Sequence, residues 1–563
     1  MKKSLFFVAA AMLLMTSCKK AGNEPMREVY YNAKIYTADS LQPEATALVI
    51  EEGKIVYVGN DTEALAMVKA DSLRHDVGQK RIIPGLIDAH CHFIILGSVA
   101  SGKKMLTIDS GWSHEETLKQ IKKWADENPD VKQIYGMGWG PNVKPSAAEL
   151  DKLGIDRPIV LNDIDGHTAW VNSAALKAAG VDRNYKDIAP GASYFERDKD
   201  GNPNGIVREP SQCSWLTKKL KFTAKEDIKK GLPILTGAFN AAGITAVYDA
   251  GLLGAEDEDG LQAVVETNPT IRIFASVLYD GSETPDEYAA RASKLMEQYQ
   301  TDMLRANTMK VFKDGTTDAG TSLVYKPFTK TLDKKQGTGN CITPNEKLQA
   351  VAEKAANLGM NIHVHTIGDR AVSETLDVMH NLGQIKGTKT LAHCELLSNG
   401  AFEKFIENED VFCTTTPIWN RASIADNQIE YLGEEEFMKY HIPVKDLIDS
   451  GKKVTFSSDV PASRDGFNPM NNIWAAACEG IDPEILDRKG KNLSIAQCID
   501  SYTIRTAEQV GAQDEIGSLT AGKWADFVIL NQDIFQIDPR TIRDVKVENT
   551  FLKGEIIYSL EEE

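Results

Sequence analysis

Eight short apolar segments recur between residues 81 and 510, and helical patterns separate them. Strands that alternate with helices are typical of parallel β/α units, because a helix carries the chain back to the start of the next parallel strand. The candidate strands are residues 82–92, 244–250, 271–279, 307–313, 360–366, 388–394, 411–416 and 453–459. Eight strands are what a closed barrel requires, so we predict an α/β fold with a TIM-like (β/α)8 barrel over residues 81–514.

Strand patterns also occur on either side of this region, near both ends of the chain. Apolar and polar side chains alternate there, as in strands that bury one face. The segments are residues 29–37, 47–59, 525–530 and 551–558. We therefore predict that residues 27–80 and 515–563 together form a small β-sandwich domain.

The first and second candidate barrel strands are separated by an unusually long stretch, about residues 98–222. An ordinary connection between a strand and a helix is only a few residues long. The stretch also contains helical patterns and strand-like runs of its own, at residues 115–127, 172–179, 132–138 and 157–162. We interpret it as a subdomain inserted after the first barrel strand.

Residues 1–18 have the pattern of a bacterial lipoprotein signal peptide. Basic residues 2–3 precede an apolar run, residues 5–15, that is too short to span a bilayer, and small residues then precede Cys18. The resemblance to a lipobox implies cleavage before Cys18 and its lipidation, and a plain secretory signal is the alternative. Lysines rather than aspartate follow Cys18, which favours the outer membrane. We expect a protein of the cell envelope that is anchored by lipid and faces the periplasm.

The charge of the chain argues against nucleic acid as a partner. Its 563 residues carry a formal net charge of −18, and no basic stripe is visible in the sequence. Phosphate binding requires clustered lysine and arginine side chains. We expect a small-molecule substrate, contact with the membrane through the lipid anchor only, and a chain that is compatible with homo-oligomerisation.

The cysteines indicate neither a disulfide framework nor a cysteine-rich zinc site. Apart from Cys18 they are scattered, odd in number and mostly in apolar runs, and no CxxC pair occurs. A chain of this length needs no disulfide to be stable. We predict free core thiols at Cys91, Cys213, Cys341, Cys394, Cys413, Cys478 and Cys498.

The first barrel strand ends in the sequence Pro84-Gly-Leu-Ile-Asp-Ala-His-Cys-His92. Side chains on a strand alternate between its faces, so His90 and His92 point the same way and could bind one cation. A chance pattern or a histidine pair in the core is the simpler alternative. Other potential ligands lie at the ends of later strands, where barrel enzymes have their active sites: Lys310, His365, His393 and Asp459.

Several motifs resemble those of one enzyme family. They are Pro84-Gly-x-x-Asp-x-His-x-His92, Asp165-Gly-His-Thr-Ala-Trp170, Gly201-Asn-Pro-Asn-Gly-Ile-Val-Arg-Glu209, Lys310-x-x-x-Asp-Gly315, His365-x-Ile-Gly-Asp-Arg-Ala371 and Ser457-Ser-Asp-x-Pro461. Over nearly all of residues 27–560 the chain resembles the amidohydrolase superfamily. It is most similar to amidohydrolase family 3, the proteins like N-substituted formamide deformylase and YtcJ.

The resemblance implies a zinc centre with one or two ions. The implied metal ligands are His90, His92, His365, His393 and Asp459, with Lys310 as a carbamylated lysine that bridges two metals. Imidazole and carboxylate groups suit Zn²⁺, and a lysine carbamate is an anionic oxygen donor, whereas an ammonium group cannot bind a metal. Alternatively, Lys310 pairs with Asp314, and the site would then hold a single metal.

The resemblance further implies hydrolysis of a C–N amide-type bond by metal-activated hydroxide. The expected substrates are N-acyl or N-formyl amines, N-acyl amino acids or cyclic amides, and Asp459 is expected to act as both ligand and general acid/base. Deamination or the hydrolysis of a lactone or ester could use the same metal site. A non-catalytic binding lipoprotein is a further alternative, although the ligand set is complete.

Other polar residues are weaker candidates for contact with the substrate. His167 and Trp170 of the inserted subdomain could cover the pocket, but a Trp170 buried in a core is equally compatible with the sequence. The remaining candidates are Glu209, His363, Asp369 and Arg370, and the last two could instead pair with each other. We expect four further histidines at the surface: His75, His114, His380 and His441.

Overall fold

The computed structural model describes residues 26–164, 166–251, 257–329, 337–463 and 465–560. Its eight-stranded sheet is parallel throughout, which confirms the predicted barrel fold. Its strands are Leu86–Cys91, Ile244–Asp249, Arg272–Tyr279, Leu304–Phe312, Asn361–Thr366, Lys389–His393, Val411–Thr415 and Val454–Phe456, and each is hydrogen-bonded to the next.

Backbone hydrogen bonds just beyond the last strand close this sheet onto the first strand. The N–H of Asp459 donates to the carbonyl of His90 at 2.9 Å, and the N–H of His92 donates to the carbonyl of Val460 at 3.0 Å. The closure therefore places Asp459 directly beside the two histidines of the first strand. This seam lies at the carboxyl ends of the strands, where barrels bind their substrates.

Helices surround the barrel and bury its outer face in one large apolar cluster. In chain order the helices outside the inserted subdomain, after the first barrel strand, are Phe93–Ala100, Lys225–Ala241, Asp257–Thr267, Pro285–Gln298, Asn345–Asn357, Asp369–Asn381, Ala401–Glu407, Ala422–Leu432, Glu434–Tyr440, Val444–Asp449, Pro469–Ala477, Ile495–Tyr502 and Ile504–Gln509. Over the ranges that the structure describes, no helix combines the length and the apolar character needed to cross a bilayer.

The predicted first strand, residues 82–92, is in fact two strands that belong to different sheets. Arg81–Pro84 pairs with strands from both ends of the chain, and Leu86–Cys91 begins the barrel. The chain passes between the sheets at Gly85, where a Cβ atom would lie 2.3 Å from the hydroxyl of Thr245. Glycine is required there because any side chain would clash with the neighbouring strand.

Two smaller sheets combine segments from the two ends of the chain. The six-stranded sheet has the order Glu555–Ser559, Val547–Leu552, Phe527–Leu530, Arg81–Pro84, Lys34–Tyr36 and Glu44–Ala45. The four-stranded sheet has the order Lys54–Gly59, Ala47–Glu51, Arg27–Tyr31 and Arg74–Asp76, and the helix Asp61–Ala66 packs beside it. A common apolar cluster joins the two sheets, as the predicted β-sandwich requires.

The insertion after the first barrel strand forms a six-stranded sheet of its own. Its strands, in sheet order, are Tyr194–Arg197, Pro203–Arg208, Thr168–Val171, Ile159–Asp163, Ile134–Trp139 and Leu106–Thr107. Its helices are His114–Glu127, Ala147–Asp151, Ser173–Ala179 and Pro210–Lys219. The predicted inserted subdomain is thus a sheet with helices, and it has two apolar cores.

Two remaining sequence predictions have different outcomes. The seven predicted cysteines are free thiols, and all except the half-buried Cys341 are buried. His441, which we expected at the surface, is instead fully buried, and its ring stacks on Phe437 with 4.2 Å between the centroids. The predicted signal peptide and Cys18 lie outside the described residues.

Candidate metal centre

Three side chains lie where the last barrel strand closes onto the first, and they form a compact set of potential metal ligands. His90, His92 and Asp459 are buried, and one ligand atom from each lies within 4.8 Å of the others. Oδ1 of Asp459 is 3.5 Å from Nε2 of His90 and 3.9 Å from Nε2 of His92. Ligands of a tetrahedral zinc ion lie about 3.3 Å apart, so this set has nearly the spacing that the ion requires.

The other predicted ligands lie against this set, in the same pocket. Nζ of Lys310 is 3.3 Å from Nε2 of His90. The ring of His393 is 4.9 Å from that of His90 and 4.6 Å from that of His365, measured between centroids. All six predicted ligand residues lie on barrel strands or directly after a strand end. The barrel therefore brings them together at one of its ends.

Two of these residues have backbone conformations that are unusual for their type. His393 has φ 73° and Asp459 has φ 50°, both in the left-handed region that non-glycine residues rarely adopt. Such conformations cost free energy and are concentrated at functional sites. The local chain is thus bent at the points where these two side chains enter the pocket.

Burial keeps the imidazoles of the pocket neutral. It lowers the pKa of His90, His365 and His393 well below the ordinary value, and the nearby amine of Lys310 and the other imidazoles lower it further. The pKa of His92 is lowered to about 4, chiefly by burial. A neutral imidazole is the form that binds a metal ion.

Lys310 and Asp459 are shifted toward their uncharged forms as well. Burial lowers the pKa of Lys310 and raises that of Asp459, and the attraction between the two groups only partly opposes these shifts. Asp314, the alternative partner of Lys310, instead accepts backbone hydrogen bonds from Leu323, Ile367 and Gly368. No ion pair joins Lys310 to Asp314 within the part of the chain that the structure describes.

His363 lies behind His90, on the side away from Asp459. Its Nε2 is 2.8 Å from Nδ1 of His90, and its ring stacks on Tyr248 with 4.5 Å between the centroids. The residue is 1% exposed. The structure therefore places this candidate substrate contact as a neighbour that orients His90.

His167 and Glu209 reach the pocket from the inserted subdomain. Nδ1 of His167 is 2.7 Å from Oε2 of Glu209, and the ring of His167 lies 5.8 Å from that of His365. Both side chains are buried. Of the weaker candidates, His363 and His167 therefore lie next to predicted ligands, and Glu209 holds His167.

The structure corrects the predicted pocket position of Trp170. Its ring is fully buried among apolar residues of the inserted subdomain, including Leu150 and Leu161. Its Nε1 donates to the carbonyl of Ser146 at 2.7 Å. Trp170 therefore belongs to a core, which was the alternative open to it from the sequence.

Asp369 and Arg370 are also engaged within the chain. The buried carboxylate of Asp369 accepts hydrogen bonds from the N–H of Tyr325 at 3.0 Å and the hydroxyl of Ser398 at 2.8 Å. Arg370 pairs with Glu374 one helical turn later, at 2.8 Å. Asp369 thus holds neighbouring loop segments, Arg370 pairs within its own helix, and the two residues have separate partners.

The model of the amidohydrolase family matches residues 75–558.

The chain belongs to the amidohydrolase family.

Three proteins with different names are similar in sequence to this amidohydrolase. The exoenzymes regulatory protein AepA of Pectobacterium carotovorum subsp. carotovorum is 28% identical, over 73% of this chain and 89% of that protein. The putative amidohydrolase YtcJ of Bacillus subtilis (strain 168) is 25% identical, over 95% of this chain and 99% of YtcJ. The N-substituted formamide deformylase of Arthrobacter pascens is 23% identical, over 94% of this chain and 97% of the deformylase.

A solved structure has the same fold as this amidohydrolase. It is an uncharacterized metal-dependent hydrolase from Pyrococcus horikoshii OT3, with a TM-score of 0.69 and 24% identity. The likeness covers 91% of this chain and 99% of the other. It therefore extends over the barrel and the additional sheets.

One positioning residue of the amidohydrolase was missed in the sequence. Asp249, at the end of the second barrel strand, accepts hydrogen bonds from the N–H of Ile94 at 2.7 Å and of Gly251 at 3.1 Å. The carbonyl of Gly251 lies 3.0 Å from Nδ1 of His92, and accepts its hydrogen. An aspartate at a strand end was the signal, but its contact with Ile94 joins segments that are distant in sequence.

A second residue, Trp419, stacks on a predicted ligand. Its ring lies 5.5 Å from that of His393, at an angle of 26°. No residue of the segment that contains it, residues 414–431, was a candidate in the sequence. Which side chain of that segment faces His393 depends on the short helix Pro417–Asn420, whose orientation no local pattern reveals.

Proposed function

We propose that this amidohydrolase is a zinc-dependent enzyme that cleaves a C–N amide-type bond in a small molecule. The observation that carries the proposal is the buried set His90, His92 and Asp459, with ligand atoms within 4.8 Å at the carboxyl end of the barrel. N-formyl and N-acyl amines, N-acyl amino acids and cyclic amides are the proposed substrates. The similarity to N-substituted formamide deformylase supports this class.

The donor chemistry of the pocket fits zinc. Neutral imidazoles and a carboxylate are the groups that Zn²⁺ prefers, and His90, His92 and Asp459 would hold one ion. His365 and His393 would hold a second, with Lys310 between the two subsites as a carbamate. The lowered pKa of Lys310 supports this role, because a neutral amine is the form that combines with carbon dioxide.

Bound zinc would supply a Lewis acid that polarises the substrate carbonyl and makes water more acidic. Asp459 would accept the proton of the attacking water and deliver it to the departing nitrogen. Burial raises the pKa of Asp459, which makes its carboxylate a stronger base for the proton that it would accept. The same carboxyl group can therefore serve as base and then as acid without leaving the pocket.

A hydrolysis screen with zinc-loaded protein tests the proposal. The panel contains N-formyl amines, N-acyl amino acids and cyclic amides, with esters and aminopurines to detect the alternative hydrolase and deaminase activities. We expect release of amine from at least one amide class and a fall of about a thousandfold in kcat for Asp459→Asn. The exposed residue Asp200 provides a matched control, Asp200→Asn. Equal rates in Asp459→Asn and the parent would refute the assigned role.

We further propose that the mature protein is a lipoprotein facing the periplasm, anchored at Cys18 and most consistent with the outer membrane. The support is the sequence of residues 1–18 alone. Growth with labelled palmitate, followed by membrane fractionation, tests the anchor. Label should appear on the parent and be absent from Cys18→Ser, and a parent without label would contradict the proposal.

A further inference from the structure

Asp88 and Ser458 belong to two motifs that supply metal ligands, but neither is among the predicted ligands. Asp88 lies two residues before His90 in the first barrel strand, and Ser458 directly precedes Asp459 beyond the last strand. The two residues are 370 positions apart in the chain, and the closure of the barrel brings their side chains into contact. Each is 1% exposed. The two motifs therefore meet at this buried pair as well as at the metal centre.

The side chain of Asp88 accepts hydrogen bonds from both of the segments that meet here. Its Oδ1 accepts from the N–H of Ser458 at 3.1 Å and from the N–H of His90 at 3.2 Å. Its Oδ2 accepts from the hydroxyl of Ser458. One carboxyl group thus connects the strand that carries His90 with the segment that carries Asp459.

Ser458 extends this contact to the residue on the other side of Asp459. Its Oγ accepts a hydrogen bond from the N–H of Val460 at 3.3 Å. The N–H of Asp459 itself donates to the carbonyl of His90, at 2.9 Å. Asp459 is therefore held at its own amide and at both of its neighbours in the chain. Of these contacts, the ones made by the hydroxyl of Ser458 can be removed by substitution without a change to the backbone.

The backbone of Asp459 needs this support because it is strained. Its φ of 50° lies in the left-handed region, which costs free energy for a residue with a Cβ atom. A strained segment keeps its conformation only where the surrounding contacts determine it. The bonds between Asp88 and Ser458 supply such a constraint, at the residue next to the strained one.

We propose that Asp88 and Ser458 are positioning residues, which hold the carboxyl group of Asp459 in the orientation that proton transfer requires. The inference rests on the proposed role of Asp459 as base and then acid. A group with both roles must stay within reach of the attacking water and of the departing nitrogen. A displacement of about 1 Å can lower the rate of a reaction about a hundredfold. Asp88 and Ser458 thus act through Asp459 and need no contact with the substrate.

Ser458→Ala is the first test, because it removes the hydroxyl and keeps the backbone N–H that donates to Asp88. In protein with saturating zinc we expect kcat to fall about 10- to 100-fold while KM stays close to that of the parent. This division is expected because the orientation of Asp459 affects proton transfer, whereas the hydroxyl of Ser458 is engaged within the protein. A rise in KM with an unchanged kcat would contradict the inference.

Ser457→Ala is the matched control, since it removes the same atom from the adjacent position. Ser457 is also 1% exposed, but its hydroxyl contacts the hydroxyl of Thr416 at 2.9 Å and the carbonyl of Thr415 at 3.2 Å. We expect kcat of this variant to remain near that of the parent. An equal fall in the two alanine variants would mean that the segment is merely destabilised, and would overturn the inference.

A second variant guards against misfolding of Ser458→Ala. Ser458→Cys keeps a side chain of similar size, but its thiol is a weak donor and a weak acceptor of hydrogen bonds. We expect a smaller fall in kcat in the same direction. Thermal unfolding shows whether each variant is folded, and an unchanged kcat in either folded Ser458 variant overturns the inference.

Protein loaded with cobalt instead of zinc separates this inference from the proposed reaction. The visible absorption of bound Co²⁺ depends on the arrangement of its ligands, so it reports a displaced Asp459 without any substrate. We expect the spectrum to change in Ser458→Ala and to match that of the parent in Ser457→Ala. If the parent hydrolyses no member of the amide panel, the proposed function fails, and a changed spectrum in Ser458→Ala alone still supports the positioning of Asp459. Identical spectra in the parent and Ser458→Ala overturn it, and so does a parent that binds no cobalt.

Discussion

Nδ1 of His90 and Nε2 of His363 lie 2.8 Å apart in the buried wall of the barrel. One ring must donate and the other accept, because a single hydrogen lies between the two nitrogens. The contact fixes the rotation of the His90 ring and directs its Nε2 toward Asp459 and Lys310, at 3.5 and 3.3 Å. A histidine that binds zinc is commonly held in this way through its second nitrogen.

Replacement of His363 should therefore weaken zinc binding without removing a ligand. For His363→Leu we expect zinc affinity to fall about 10- to 100-fold, measured by competition with a chelating dye, and activity to return when excess zinc is added. His380, exposed on a helix, provides the control His380→Leu. An unchanged affinity in His363→Leu would mean that His90 is held by the rest of the barrel.

Carbamylation of Lys310 can be observed directly. The pKa of Lys310 is lowered to about 7, chiefly by burial, so a large share of the amine is neutral near pH 7 and can combine with carbon dioxide. Zinc-loaded protein prepared with ¹³C-bicarbonate should show a carbamate resonance that is absent in Lys310→Met. Lys326→Met changes an exposed lysine and should keep the signal. Parent protein without the resonance would contradict carbamylation.

Trp170 should affect stability and leave the substrate affinity unchanged. It fills a subdomain core, so Trp170→Ala should lower the free energy of unfolding by about 3–5 kcal/mol, as in other cores. KM should stay near that of the parent. Trp419→Ala, in contrast, removes the ring that stacks on His393 and should change KM. Urea denaturation and steady-state kinetics on the two variants provide the comparison.

The barrel could be predicted because its strands are short segments rich in apolar residues, and helical patterns separate them. The break at Gly85 could not be predicted from the sequence. It arises because Arg81–Pro84 pairs with a strand of residues 527–530, which is far away in sequence. Periodicity describes one strand at a time and does not reveal its partners. The same limit applies to the hydrogen bond between Asp249 and Ile94, which lies on another segment.

A sequence motif did not predict which of its side chains face the candidate site. His167 and Trp170 belong to one motif, yet His167 precedes the strand Thr168–Val171 and faces the barrel, while Trp170 packs into the core of the subdomain. The directions of the two side chains depend on how the strand pairs with its neighbours. His441 is a similar case, because a loop residue was expected at the surface and its ring is buried against Phe437.

Asp249 should make stability depend on pH in a defined direction. Its pKa is raised from 3.8 to about 6, because burial outweighs the backbone hydrogen bonds that the carboxylate accepts. A carboxyl group with a higher pKa in the folded state binds its proton more tightly there. Its stabilising contribution is fully present below pH 3.8 and is lost as the pH rises through about 6. Relative to Asp249→Asn, the parent should therefore lose about 2 kcal/mol of unfolding free energy between pH 4 and pH 7. Chemical denaturation after removal of metal by a chelator measures this difference, and the exposed Asp200→Asn serves as the control. A difference that does not change with pH would mean that the carboxylate is as well solvated in the barrel as in the unfolded chain.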